Sequence, residues 1–427
     1  MTRATSIVFH SNRQPATIGV MALIAFLMDI EEGHLFPSFE LSAALRSRGH
    51  RVVYLGVYDN RDFVERQGFE FYPLFGEAYP QGYRETYGAA KSRDADSSVR
   101  SKPHLEGILG GAFDGLLRGL RPDLFVVSLF LSLEALLLYY ALGIQPVIFT
   151  PFLREAASTV AMHCLNSLIN LNGDEVLKIV EFLRGLGIPV TSMEAMVRPL
   201  NGFCELIACP EELEIEQVPR RDNVHYLGPS VRKAEGLSQR WHPPVPGDGR
   251  RIIYASLGSQ SAAYGVIGRS LLAKVVSVME RPAMREMHLL LAGGAGGRQP
   301  EQMDAPGNVT FLEWAPQTEI LRIASLAIIH GGLGTIKECI HAGVPMVVVP
   351  FKYDQPLNAR RVAYHNLGIT LAADGITEEG LLAGMVHALN DEHIRAGIDS
   401  MRQVFRRRDE LSIGPDVIEK CLRGKGR

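Results

Sequence analysis

Cysteine is scarce in this chain, and neither sign of charge prevails. Its five cysteines (Cys164, Cys204, Cys209, Cys339, Cys421) are odd in number and scattered, with no CxxC and no Cys/His cluster at zinc spacing. That pattern excludes a disulfide framework and a structural zinc, and it points to a reducing, cytosolic compartment. Lys and Arg total 44 against 47 Asp and Glu, a net charge of −3 that is too small to make nucleic acid a partner. The Asp-x-Asp at Asp94–Asp96 lies in a polar stretch with no strand before it, and reads as a solvated loop, not a metal site. Long apolar runs are also few.

Two such runs need explaining. Ile18–Met28, with Arg3 and Arg13 upstream, has the outline of a signal peptide, but Asp29, Glu31 and Glu32 follow where a small-x-small cleavage site belongs. A buried parallel strand entered from a loose leader (residues 1–17) fits better. Leu124–Leu142 approaches the roughly 20 residues that span a bilayer. It resolves instead into strand (FVVSLF), helix (SLEALLLYYAL, closed by Gly143) and a second strand (QPVIF). Glu134 argues against a stable membrane span, while peripheral contact stays open, and Arg406–Arg408 reads as a solvated helix face.

At 427 residues the chain suggests two or three domains. Strands and amphipathic helices alternate along nearly all of it, which predicts α/β architecture with parallel sheets. The helix Ser38–Arg48, ended by Gly49, leads into the strand RVVYLG. Residues 231–249, proline-rich and without an apolar face, read as a linker. The expected organisation is thus 1–230, linker, and 250–427, with residues 393–427 free to pack back on the first half. Two doubly wound, Rossmann-like domains facing a central cleft follow, with ligands outside the carboxyl ends of the strands.

The densest chemistry is His330–Glu338, HGGLGTIKE, after the apolar strand LAII. Its glycines let backbone amides approach a phosphate, and the helix opening there adds a positive dipole end. Thr335 can donate a hydroxyl, and Glu338 suits ribose. Alone, the turn does not separate a phosphate site from a plain strand–turn–helix with a buried His330. GGAGG (Gly293–Gly297) lacks a following Lys-Ser/Thr and reads as a turn. Trp314 and Gln317 lie upstream of His330, Asp354 and Gln355 downstream. A ring for a base, an amide for its edge, a phosphate turn and a carboxylate–amide pair for sugar hydroxyls are the inventory of a nucleotide-sugar site.

Trp314–Gln355 resembles the donor signature of the family 1 glycosyltransferases, including bacterial antibiotic and carotenoid glucosyltransferases. The likeness extends to YASLGS (Tyr254–Ser259), VHYLGP (Val224–Pro229) and Gly33–Val52, and is weakest across 77–120 and 155–205. It implies the two-domain GT-B fold and an inverting, metal-independent hexosyl transfer from a nucleotide diphosphate sugar, UDP- or dTDP-linked. No cofactor is implied, since the nucleotide sugar is a substrate. Trp314 and Gln317 would hold the base; Ser259, His330, Gly332, Gly334 and Thr335 the pyrophosphate; Glu338 the ribose; and Asp354 and Gln355 the transferred sugar, with a lean towards glucose. Gly334 stands where plant relatives carry asparagine. The acceptor would be a small apolar alcohol such as a polyketide, terpenoid or carotenoid, and the enzyme a monomer or homodimer.

In this resemblance His34 is the base that takes the acceptor's proton, and an imidazole suits that task near neutral pH. Capping of the next helix is its structural alternative. The family's aspartate partner is replaced by Ser128, which can orient a ring but supplies no charge. Glu134 or Asp29 could substitute, the acceptor could be acidic enough to need little help, or catalysis could be lost. A sugar-nucleotide epimerase and a non-catalytic donor-binding partner are the rival readings.

Overall fold

The computed structural model describes residues 21–84, 102, 104–111, 117, 119–155, 158–215, 221–231, 249–258, 261–293, 306–313 and 316–424. Several sequence expectations lie outside them: the leader, Asp94–Asp96, the linker apart from its ends, Ser259, Trp314 and all of GGAGG but Gly293.

Two all-parallel sheets organise the chain. The first contains β1 (Leu23–Leu27), β2 (Arg51–Gly56), β3 (Glu70–Pro73), β4 (Leu124–Ser128), β5 (Val147–Thr150), β6 (Glu205–Ile207) and β7 (Val224–Tyr226), in the order 3-2-1-4-5-6-7. The second contains β8 (Arg251–Ser256), β9 (Met287–Ala292), β10 (Val309–Leu312), β11 (Ala324–Ile329), β12 (Met346–Val348) and β13 (Gly368–Thr370), in the order 10-9-8-11-12-13. Each sheet starts in the middle and reverses direction beside its first strand. The two switch points, β1/β4 and β8/β11, are where a ligand crevice opens. The expected fold class, two doubly wound Rossmann-like halves, is the observed one.

Burial explains why the apolar runs are strands. In β1, Leu23, Ala25 and Leu27 enter one core layer while Ile24 and Phe26 enter the opposite one. A parallel strand covered on both faces is apolar throughout, so alternation is lost and the run looks like a membrane or signal segment. Eight helices matter below: α1 (Glu32–Leu35), α2 (Ser38–Ser47), α3 (Ser132–Leu142), α4 (Val160–Ile169), α5 (Leu333–Ala342), α6 (Gln355–Tyr364), α7 (Glu392–Asp409) and α8 (Ile413–Gly424). Among the described residues no helix is long and apolar enough to cross a membrane. The second apolar run is split between β4 and α3, and Gly143 ends α3 in the left-handed conformation (φ 62°).

The halves are joined by buried contacts. Leu153, Ile207, Cys209 and Leu213 of the first half share a core layer with α5, α6 and α7 of the second. Asp391 caps α7 by accepting from the backbone N–H of His393 at 2.7 Å, and Ile394, Ile398, Met401 and Phe405 form its buried stripe. The arginine run at its end is not wholly solvated, because Arg408 reaches across to Glu212 at 2.9 Å. α8 then lies on α2 and β7, where Arg48 pairs with Asp416 at 2.7 Å and Glu419 at 3.1 Å.

Candidate active site

The first half of the site grows from the end of β1. The chain turns at Asp29 and enters α1, and Asn60 holds the turn by donating to the Asp29 carbonyl at 2.9 Å. Arg84 braces it further, bonding Asn60 Oδ1 at 2.6 Å, Ile30 O at 3.0 Å and Glu32 at 3.0 Å. His34, inside α1, places Nδ1 2.7 Å from Asp29 Oδ1. It therefore does not cap α2, which starts after Pro37. Ser128 Oγ donates to the other carboxylate oxygen, Oδ2, at 2.6 Å, and the Glu31 N–H adds 3.1 Å at Oδ1.

These bonds fix the chemistry. Burial alone would raise the Asp29 pKa, but the His34 charge and the hydrogen bonds from His34, Ser128 and Glu31 outweigh it and hold the group below its ordinary range. An ionised carboxylate only accepts, so His34 Nδ1 is the donor and the Nε2 lone pair is left as the basic site. Phe130 stacks on the imidazole (centroids 3.9 Å apart, planes 9° apart) and fixes the ring plane.

The carboxylate beside the imidazole thus comes from the β1 loop. Ser128 does not touch the imidazole; it orients the carboxylate that does. Glu134 takes no part, because Lys102 at 2.8 Å and His104 at 2.6 Å engage it. They hold it down to about 2 although burial opposes this. Two features have no signal in the sequence. Phe152 packs on Phe130 at 5.4 Å, and His163 of α4 meets the edge of Phe130 at 5.5 Å. Burial, then Lys102 and Arg154, push His163 down to about 4, so it stays neutral. Only the fold brings positions 34, 130, 152 and 163 together.

The second half of the site starts where β11 ends. Gly331 (φ +92°) turns the chain, Gly332 is the N-cap of α5, and the first amides of α5 face the turn. The His330 ring lies between two glycines. A Cβ at Gly258 would come within 2.5 Å of its Cε1, and one at Gly332 within 2.5 Å of its Nε2. Burial pushes His330 to about 4 against a backbone hydrogen bond with Ser256, so the imidazole is neutral. Its buried Nδ1 has no partner among the described residues. Gly332→Ala should displace the ring and destabilise the protein by about 1–3 kcal/mol, the cost of overpacking. A denaturation midpoint equal to that of the wild type would show that the ring yields freely.

Other expected donor residues converge nearby. Gln317 donates to Thr335 Oγ1 at 3.3 Å and to the Glu338 carboxylate, and accepts from Tyr254 OH at 3.0 Å. Base, phosphate and ribose candidates thus form one cluster, with Gln317 reaching Thr335 and Glu338 of α5 from a short helix of its own, Gln317–Leu321. A Cβ at Gly334 would meet nothing within 4 Å. Asp354 precedes α6 and accepts from Asn358 Nδ2 at 2.8 Å through Oδ2. Gln355 is engaged differently: its Oε1 accepts from the Phe351 N–H at 2.9 Å and the Lys352 N–H at 3.1 Å, and its Nε2 donates to Tyr264 at 2.8 Å. Its amide is buried and braces the 351–355 turn, leaving Asp354 as the half-buried carboxylate of the pair.

Hydrogen bonds tie the two halves together on this side. Lys337 of α5 donates to Ala208 O at 2.7 Å, just past β6, and Arg361 of α6 donates to Arg154 O at 3.1 Å, just past β5. The carboxyl ends of the first sheet therefore sit against the helices that begin at the donor turn. No cluster of three metal-ligating side chains occurs among the described residues.

Comparison with known proteins finds likenesses over most of the chain. Residues 288–408 match the family model "Erythromycin biosynthesis protein CIII-like, C-terminal domain". The chain is 25% identical to the NDP-glycosyltransferase YjiC of Bacillus licheniformis, over 92% of this chain and 96% of that one. It is 28% identical to the demethyllactenocin mycarosyltransferase of Streptomyces fradiae, over 94% and 87%. The crystal structure of a kitacinnamycin glycotransferase superposes with a TM-score of 0.73 at 24% identity, covering 94% of this chain and 99% of that one.

Proposed function

We propose, from the premise that the chain is a nucleotide-sugar-dependent glycosyltransferase of the family 1, GT-B, antibiotic type, that it transfers a hexose with inversion to a small apolar hydroxyl compound. The observation that carries this reading is the Asp29–His34 pair beside an aromatic wall, at the carboxyl ends of a sheet whose following residues Ala208 and Arg154 accept from α5 and α6.

The acceptor hydroxyl gives its proton to His34 Nε2 as its oxygen attacks the anomeric carbon. The bond from that carbon to the diphosphate oxygen breaks, and the nucleoside diphosphate leaves on the opposite face. Asp29 compensates the imidazolium that forms. The leaving diphosphate meets the α5 amides and Thr335, donors already aimed before reaction. Phe130 and Phe152 favour a flat, apolar acceptor. The rival reading of a non-catalytic donor binder rested on Ser128, and loses its support once Asp29 supplies the charge. An epimerase would need further carboxylates facing the sugar; Glu134, the buried acid nearest in role, is bound by Lys102 and His104.

Incubating UDP-glucose and dTDP-glucose with a panel of phenols and apolar alcohols, read by mass, tests the reaction. Proton NMR of the product anomeric centre tests inversion. Donor epimerised without any glycoside formed would overturn the proposal. Trp314→Ala should weaken the nucleoside diphosphate by the roughly 1–3 kcal/mol that stacking a base is worth. Titration calorimetry with UDP and dTDP checks this, and an unchanged affinity removes Trp314 from the site.

A further inference from the structure

We propose that Asn358 and Arg361 are positioning residues that set Asp354 for the transferred sugar, and that they draw their own alignment from the other half of the molecule. This rests on the reading of Asp354 as the sugar-binding carboxylate.

Asn358 is fully buried on α6 and has three partners. Its Nδ2 donates to Asp354 Oδ2 at 2.8 Å and to Gly331 O, in the phosphate turn, at 3.0 Å. Its Oδ1 accepts from Arg361 Nη1 at 3.1 Å. A guanidinium only donates, so the arginine forbids a flip of the amide. With the amide locked, Asp354 is held through Oδ2, and Oδ1 is left for a sugar hydroxyl.

Arg361 is 2% exposed and is anchored outside its own half. Nη2 and Nε donate to Glu214 Oε2 at 2.7 and 3.1 Å, and Nη2 also donates to Arg154 O at 3.1 Å. The Arg154 side chain in turn bonds both oxygens of buried Glu205, at 2.6 and 2.5 Å, which Thr150 also reaches at 2.6 Å. Phe152, in that same segment, packs on Phe130, which stacks on His34. One line of contacts therefore runs from the sugar carboxylate, through Asn358 and Arg361, to the segment that walls the acceptor side. Such a line holds sugar and base in register only while the seam is intact.

The test compares, by titration calorimetry, the affinity for UDP-glucose with that for UDP, and for dTDP-glucose with that for dTDP. Asn358→Ser should reduce the advantage given by the sugar by about 2- to 30-fold, the range found for residues coupled to a distant site. Glu214→Gln keeps the size and an acceptor oxygen but loses the charge, and should act in the same direction. In an Asp354→Ala background neither change should have a further effect on that ratio. Equal losses for the sugar-bearing and free diphosphates, or additivity with Asp354→Ala, would overturn the proposal. Should Asn358→Ser fail to fold, Glu214→Gln decides alone. A silent Asp354→Ala would end both the sugar contact and this inference, whereas an impaired Asp354→Ala with a silent Glu214→Gln would end only the inference.

Discussion

Replacing His34 by alanine should leave nucleotide-sugar affinity intact and cut transfer to an unactivated alcohol by about 10²–10⁴-fold, the usual worth of a general base. Affinity should survive because the donor cluster on α5 and α6 belongs to the second half and makes no contact with the imidazole. A phenol should behave differently. Its proton is lost more readily, so the deficit should be smaller and should shrink as rising pH supplies phenolate. Initial rates for one alcohol and one phenol across pH, in wild type and His34→Ala, separate the base from the scaffold. Full activity of the variant towards the alcohol would remove His34 as the base. Equal, pH-independent losses for both acceptors would mean that the ring only supports Phe130, on which it stacks.

Asp354→Ala should have another signature. A carboxylate hydrogen-bonded to sugar contributes about 1.5–3 kcal/mol, so turnover should fall while free UDP and dTDP bind normally. Comparable losses for free diphosphate and nucleotide sugar would instead show that Asp354 maintains the Gly331 turn, to which it is linked through Asn358.

The fold was legible because its signals are local. Alternating strands and helices, Gly49 and Gly143 at helix ends, and an apolar run that breaks into strand, helix and strand all act within a few residues. The donor turn was legible for the same reason, since His330 to Glu338 is one continuous strand–turn–helix. What escaped depends on distance in sequence. Arg361 and Lys337 look like ordinary polar positions of surface helices, yet both are buried at the seam. Only the packing of two halves supplies Glu214 and the Ala208 carbonyl as their partners. Gln355 stands beside Asp354 as an expected sugar ligand, but adjacent residues at the start of a helix point differently, and its amide braces the preceding turn. Asp29 stood among several open ways to compensate for Ser128. Deciding between it and Glu134 required knowing that β1 and β4 are neighbours, which brings Ser128 onto Asp29, while Lys102 and His104 claim Glu134.

Asp29→Asn should therefore lower turnover with alcohols near neutral pH, by no more than the loss of His34 itself, since the base remains. An asparagine can turn its N–H₂ towards Nδ1, which stabilises the tautomer protonated at Nε2, the wrong nitrogen for a base. It also removes the charge that favours the imidazolium, so the acid limb of the pH–rate profile should move to lower pH. Titration of Asp29 does not interfere in this window. Its pKa is depressed below 3.8, so its contribution to stability is complete above that value and is lost only as pH falls through the lower, folded value. Ser128→Asp should confirm the assignment from the other side. Ser128 Oγ lies 2.6 Å from Asp29 Oδ2, so the substitution would set two carboxylates in contact, and one of them would take up a proton. The hydrogen bond that orients Asp29 would be lost or reversed, and rates with alcohols and phenols alike should fall, not rise. A faster Ser128→Asp enzyme with an unimpaired Asp29→Asn would show that position 128 is the natural seat of the acid and that Asp29 is incidental. A slow Asp29→Asn whose acid limb has shifted, together with a slow Ser128→Asp, places the charge for His34 in the β1 loop.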